Sequence, residues 1–165
     1  MNETLSLMQA RRSIRKFAAR PVDRDSLTAL LEAARWAPSG RNTQPWRFVV
    51  VMSEEKRRRL AELAPQRGIV ASAPASIVVL RDLDAGYDEL KDAQGIGAAI
   101  QNILLAAEST GLSACWTGRT RDAAIEQLVG AAPNQELMAI IAIGYSDEKP
   151  QLAERLPLEQ IARFC

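Results

Sequence analysis

The segment Arg11-Arg12-Ser13-Ile14-Arg15-Lys16-Phe17 gathers several cations and a hydroxyl into seven residues. In an extended backbone, residues two apart share one side, so Arg11, Ser13 and Arg15 can converge on a single anionic group. Two guanidinium forks and a hydroxyl suit a terminal phosphate, because each fork offers paired, charge-assisted donors. Taken alone, the same residues equally form a solvated basic patch. A second segment, Ala37-Pro38-Ser39-Gly40-Arg41-Asn42-Thr43-Gln44-Pro45-Trp46, sets neutral donors and acceptors between two prolines. Such a rigid loop can read the edge of a heterocycle, and it also reads as a well-made connector between a helix and a strand. The third segment runs from Gly95 and Gly97 through Gly111 to Leu112-Ser113-Ala114-Cys115-Trp116-Thr117-Gly118. Gly95-Ile96-Gly97 lacks both a preceding strand and a full GxGxxG, so it is not a dinucleotide fingerprint. Its small residues suit close helix packing. Trp116-Thr117-Gly118 could present backbone N–H groups to a planar ligand, and Trp116 could equally be a core residue.

What the chain lacks narrows the chemistry. It contains no histidine, which removes Ser-His-Asp and Cys-His catalysis and His-ligated metals. A cofactor carrying the hard step is the simplest remaining option. Cys115 and Cys165 are too far apart in sequence for a CxxC pair and suggest no zinc site. With 21 basic and 20 acidic residues the net charge is +1, so there is no general electrostatic case for nucleic acid or a membrane surface. No apolar run approaches the roughly 20 residues of a membrane span, and the first residues lack a secretory pattern. A reducing cytoplasm fits this composition.

The elements that must position these segments follow from periodicity. Thr4 to Ala10 reads as a short helix with Thr4 as N-cap, and Asp23 to Ala37 as an amphipathic helix capped by Asp23 or Asp25. Trp46 to Met52, Ala75 to Leu80, Ser113 to Thr117 and Leu137 to Tyr145 read as strands. Ser53 to Leu63 and Asp122 to Val129 are helical, and Ala93 to Ser109 is a central buried helix ending at Gly111. Asp82 to Asp88 is a loop, and beyond Pro150 only Leu158 to Arg163 suggests a helical turn. With no repeat or flexible linker, residues 1–165 form one domain with an α+β fold.

Taken in order, the three segments and the helix Gln101-Asn102-Ile103-Leu104-Leu105-Ala106-Ala107 resemble the FMN-dependent nitroreductase family over nearly the whole chain, as a short, single-domain member. The resemblance implies a central, mainly antiparallel mixed β-sheet flanked by helices, in an intertwined homodimer with FMN at the subunit interface. By similarity, Arg11, Ser13 and Arg15, within a cofactor-binding segment that includes Arg12, hold the ribityl phosphate and the pyrimidine side of the flavin. Pro38, Ser39, Gly40 and Asn42 come from the other subunit, with Gln44 near the cofactor, and Trp116, Thr117 and Gly118 line the isoalloxazine. Near the C-terminus a basic residue returns to the phosphate. Arg155 fills that role best, with Lys149 the weaker candidate, and either could be a plain surface charge.

The implied activity is an oxidoreductase in which NADH or NADPH reduces the flavin and a small oxidant such as a nitroaromatic or quinone takes the electrons, in ping-pong order. Flavin N5 carries the chemistry, so no catalytic side chain and no metal is expected. The alternatives are a specialised flavin reaction on the same fold, reductive dehalogenation or flavin cleavage, and a protein that stores or senses FMN without turnover. The chain is shorter than the larger nitroreductases, so their substrate pocket cannot be transferred.

Overall fold

A computed structural model describes residues 2–118 and 121–165. Residues 1 and 119–120 lie outside the described residues. In chain order the helices are α1 (Glu3–Ala10), α2 (Arg24–Arg35), α3 (Glu54–Leu63), α4 (Arg67–Ser72), α5 (Glu89–Ser109), α6 (Ala123–Val129) and α7 (Leu158–Ile161). The strands are β1 (Trp46–Val51), β2 (Ala75–Asp82), β3 (Ser113–Thr117) and β4 (Gln135–Gly144), and a one-turn 3-10 helix covers Gly40–Asn42. The sheet order is β1-β2-β4-β3. Every pair of named strands is antiparallel, and an isolated bridge from Ser13 to Ala114 supplies the parallel pairing.

The two central strands are apolar on both faces because both faces are covered. Ala75, Ile77 and Val79 of β2, with Ala139, Ile141 and Ile143 of β4, pack against α2 and α5. Val78, Leu80, Leu137 and Ile140 face the other way, toward Leu60 of α3, Val70 of α4 and Ile125 of α6. Leu137 and Ile140 share a face although their parity differs. The register shift between Val79 and Leu80, which pair with Ala139 and Leu137, leaves Met138 as the extra residue and explains the switch.

Most elements match the expectations from periodicity, and the differences have local causes. Asn2, not Thr4, caps α1, accepting the Thr4 N–H at 2.9 Å. Of the two candidates for α2, Asp23 is the cap and accepts the Ser26 N–H at 2.7 Å. The central helix begins at Glu89 rather than near Ala93, because Asp88 accepts the Lys91 N–H at 2.9 Å and starts a polar first turn. It ends as expected, with Gly111 left-handed at φ 75° and the Leu112 N–H returning to the Ala107 carbonyl. Helix α4 was not anticipated. Among the described residues no helix is long and apolar enough to cross a membrane.

Candidate functional site

The first segment is laid along the sheet edge. Ser13 bridges Ala114 of β3, and the Ile14 N–H donates to the Ala114 carbonyl at 3.1 Å. This sets the Arg11–Arg15 stretch beside the strand that carries Trp116 and Thr117. The extension of β4 secures the other side. The Ala18 N–H donates to the Tyr145 carbonyl at 2.7 Å, and the Ser146 hydroxyl donates to the Lys16 carbonyl at 2.6 Å. Glu148 Oε2 accepts the successive N–H groups of Arg15 and Lys16 at 3.0 and 3.2 Å. No sequence signal pointed to Glu148, which lies far from both partners in the chain.

Arg11, Arg12, Ser13, Arg15 and Arg155 line one cavity of about 150 Å³. The structure therefore brings the first segment and the tail arginine together, whereas Lys149 is exposed and does not line that cavity. The arginines differ in commitment. Arg12 closes α1, its Nη1 donating to the carbonyls of Gln9, Ala10 and Arg11 at 2.5, 2.8 and 3.0 Å. Arg11 has a buried Nε without an acceptor, a costly state for a guanidinium donor. Arg15 Nη1 makes a longer contact with the Ser13 carbonyl at 3.3 Å. Arg155 Nη1 turns back onto the carbonyls of Ala153 and Glu154. Beneath this region, burial pushes the Cys115 thiol pKa up; Arg15 opposes that shift and Glu148 adds to it.

The proline-bounded loop takes an unusual path. Arg41, Asn42 and Gln44 have φ values of 53°, 57° and 49°, a left-handed cluster that costs conformational energy for residues with a Cβ. Ser39 Oγ accepts the Gln44 N–H at 3.0 Å and braces the turn. At its exit, Arg47 pairs with Asp82 at 2.7 Å and also donates to the Gln44 carbonyl at 3.1 Å. Gly95 allows close approach, since a Cβ there would lie 3.3 Å from the Pro38 carbonyl oxygen and 3.4 Å from Ser39 Cβ.

Pro38, Ser39 and Gly40 face a different cavity, of about 310 Å³, shared with Tyr87, Lys91 and Gln94. Within one chain, then, the loop and the arginine cluster line separate cavities. Asn42 and Gln44 are exposed beside the loop cavity without lining it. Tyr87 and Lys91 were missed by sequence reading, because nothing local marks a loop tyrosine or a first-turn lysine as part of a site. Trp116 is 44% exposed, which argues against a purely core role, and its ring edge would lie 3.8 Å from a Cβ at Gly97. Thr117 is buried and its hydroxyl donates to the Ile140 carbonyl at 2.9 Å, leaving only its backbone for a ligand. Gly118 is exposed at the strand end.

Comparison with known proteins identifies the family and the fold. The model of the Nitroreductase family matches residues 8–93 and 65–145. The NADPH-flavin oxidoreductase of Vibrio harveyi is 33% identical over 171 residues, covering 95% of this chain and 71% of that protein. The solved structure of a Desulfovibrio desulfuricans protein in complex with FMN superposes with a TM-score of 0.86 at 35% identity, covering 98% of this chain and 96% of that one. The NADPH:FMN oxidoreductase of Vibrio harveyi complexed with NAD+ gives a TM-score of 0.87 at 28% identity, over 99% of this chain and 77% of that one. The chain has the nitroreductase fold and belongs to the nitroreductase family.

Proposed function

We propose that this protein is an FMN-dependent NAD(P)H oxidoreductase, working as a homodimer on a small oxidant such as a nitroaromatic or quinone. The observation that carries the reading is the convergence of Arg11, Arg12, Ser13, Arg15 and Arg155 on one cavity, with an unpaired buried Nε on Arg11. These donors fit a phosphomonoester in charge, and the cavity has room for a group several waters in size. When bound, FMN supplies the two-electron relay between the nicotinamide and the oxidant, in alternating half-reactions.

The residues of this chain bind and orient. Arg11 and Arg155 hold the phosphate, with Arg12 lending charge while it caps α1. Arg15 reaches the pyrimidine side, where a cation favours negative charge on the ring. Trp116 and the backbone at Thr117 and Gly118 flank the ring system. Pro38, Ser39, Gly40 and Asn42 are contributed across the interface, with Gln44 near the cofactor, which accounts for Pro38, Ser39 and Gly40 lining a separate cavity within one chain. The dimer is supported by the tail, where Leu152, Leu156, Leu158, Ile161 and Phe164 are large apolar residues in solvent and Phe164 is 94% exposed. A second copy of the chain would cover them.

The test begins with the purified protein. It is expected to be yellow and to bleach within seconds on anaerobic addition of NADH or NADPH. Arg11→Ala combined with Arg15→Ala is expected to lose flavin while keeping its far-ultraviolet circular dichroism. Unchanged flavin affinity in that variant rejects the phosphate assignment. A bound flavin that neither nucleotide reduces would point to storage instead.

A further inference from the structure

We propose that Arg41, Tyr87 and Lys91 form a selectivity rim that favours planar aromatic oxidants carrying a negative charge. The inference deepens the proposed oxidoreductase reading and rests on it for the identity of the reaction. Its basis is the cavity of about 310 Å³ between the proline-bounded loop and the first turns of α5, whose loop wall would border the partner's flavin in the proposed dimer, with Tyr87 and Lys91 on the α5 side left for the oxidant. That volume lies at the lower end of small-molecule sites and suits one substituted ring. Tyr87 supplies an exposed aromatic wall, and its hydroxyl end is seated so closely on Gly40 that a Cβ at position 40 would overlap it. The Arg41 guanidinium lies 4.6 Å from the Tyr87 ring centroid, so the ring that lines the cavity also carries a cation. Lys91 lines the same cavity.

The nearby acidic side chains make their contacts with groups other than the Arg41 and Lys91 side chains. Asp88 caps α5 through the Lys91 N–H, Glu89 pairs with Arg121, and Asp92 is buried facing Arg81 at 3.8 Å. Among the described residues, neither Arg41 nor Lys91 forms an ion pair with an acidic side chain.

The rim is also held in shape before any ligand arrives. Buried Asp82 accepts the N–H groups of Asp84 and Ala85 at 3.1 and 3.3 Å, and Asn134 Nδ2 donates to the same oxygen at 3.2 Å. Asp92 Oδ1 accepts the Tyr87 N–H at 3.4 Å. Arg41 is held in a left-handed conformation by the braced loop. A cation stacked on a fixed aromatic wall, with an exposed lysine beside it, discriminates by charge.

The experiment compares 4-nitrobenzoate with neutral 4-nitrobenzyl alcohol on the FMN-loaded protein, by steady-state kcat/KM and by calorimetric titration of each compound. Arg41→Ala, Lys91→Gln and Lys91→Glu are tested beside the wild type. The wild type is expected to prefer the carboxylate, less so in high salt. The ratio should fall about threefold for each cation removed, in line with partly exposed ion pairs, and further in Lys91→Glu. A ratio that stays constant, or losses shared equally by both compounds, overturns the proposal. So does an effect confined to flavin reduction by NADPH, which would assign the cations to the donor. If the flavin is not reduced at all yet the carboxylate still binds more tightly than the alcohol, the oxidoreductase reading fails and the rim stands.

Discussion

Arg12 and Arg15 carry the same group three residues apart and spend it differently. Arg12 has turned its guanidinium onto three carbonyls at the end of α1, whereas Arg15 makes only a long contact with Ser13 and remains exposed. A two-residue alternation predicts that Arg11, Ser13 and Arg15 share one side; Arg12 lines the same cavity, but its Nη1 is claimed by the helix end. The grouping of Arg11, Ser13 and Arg15 around one cavity was legible because it depends on neighbouring residues, whereas the engagement of Arg12 was not. Glu148 was not, since its hydrogen bonds to the N–H groups of Arg15 and Lys16 exist only once β4 has delivered it. Its carboxylate fixes the backbone from which Arg15 projects, which makes it a positioning residue. Glu148→Ala should weaken FMN binding about fivefold, or roughly 1 kcal/mol, the scale expected for charge-assisted bonds in a solvent-exposed setting. Glu148→Gln, which keeps an acceptor, should fall between. Fluorescence titration of the flavin-free protein measures both, and an Ala variant with wild-type affinity would remove Glu148 from the site.

At the scale of elements, what the sequence could show depended on whether the signal was local. The strand at β3 was read with its observed ends, and β2 extends two residues past its apolar run, where Arg81 and buried Asp82 continue the ladder. The first turn of α5 was hidden because its residues are polar and serve the loop before it. The cap of α2 was readable to within two candidates, Asp23 and Asp25, because both stand just ahead of the spaced Leu27, Leu30 and Ala34. It also yields a pH prediction with a definite sign. The N–H and hydroxyl of Ser26 donate to the Asp23 carboxylate at 2.7 and 2.8 Å and hold its pKa below the ordinary 3.8. A lowered folded-state pKa stabilises the fold fully above the unfolded value and loses that contribution as pH falls from about 3.8 through the folded value. Asp23→Ala should therefore lower the melting temperature near neutral pH. The gap to wild type should narrow as the pH is taken below 3.8. Asp23→Ser, which can cap without charge, should retain more stability than Ala and show a weaker pH dependence. A gap that widens in acid would mean that the Asp23 charge does not stabilise this helix.

Across the whole molecule, two features would share one cause in the proposed dimer. Beyond Pro150 the chain is exposed throughout, yet it carries Leu152, Leu156, Leu158, Ile161 and Phe164. The same tail places Arg155 at the arginine cavity, while the proline-bounded loop lines a different one. If the tail clasps a second copy, apolar burial drives association, and the association is what completes the proposed flavin site. Dimer and cofactor binding should then fail together. Leu158→Asp combined with Ile161→Asp leaves Arg155 in place, so any loss of flavin in that variant reflects the interface and not a missing phosphate ligand. Sedimentation equilibrium is expected to show wild type as a dimer and the double variant as a monomer at low micromolar concentration, with flavin content falling in step. Arg155→Ala should do the reverse, weakening flavin retention while the dimer persists. A double variant that remains dimeric would remove the tail from the interface, and a monomer that keeps its flavin would show that one chain completes the site alone.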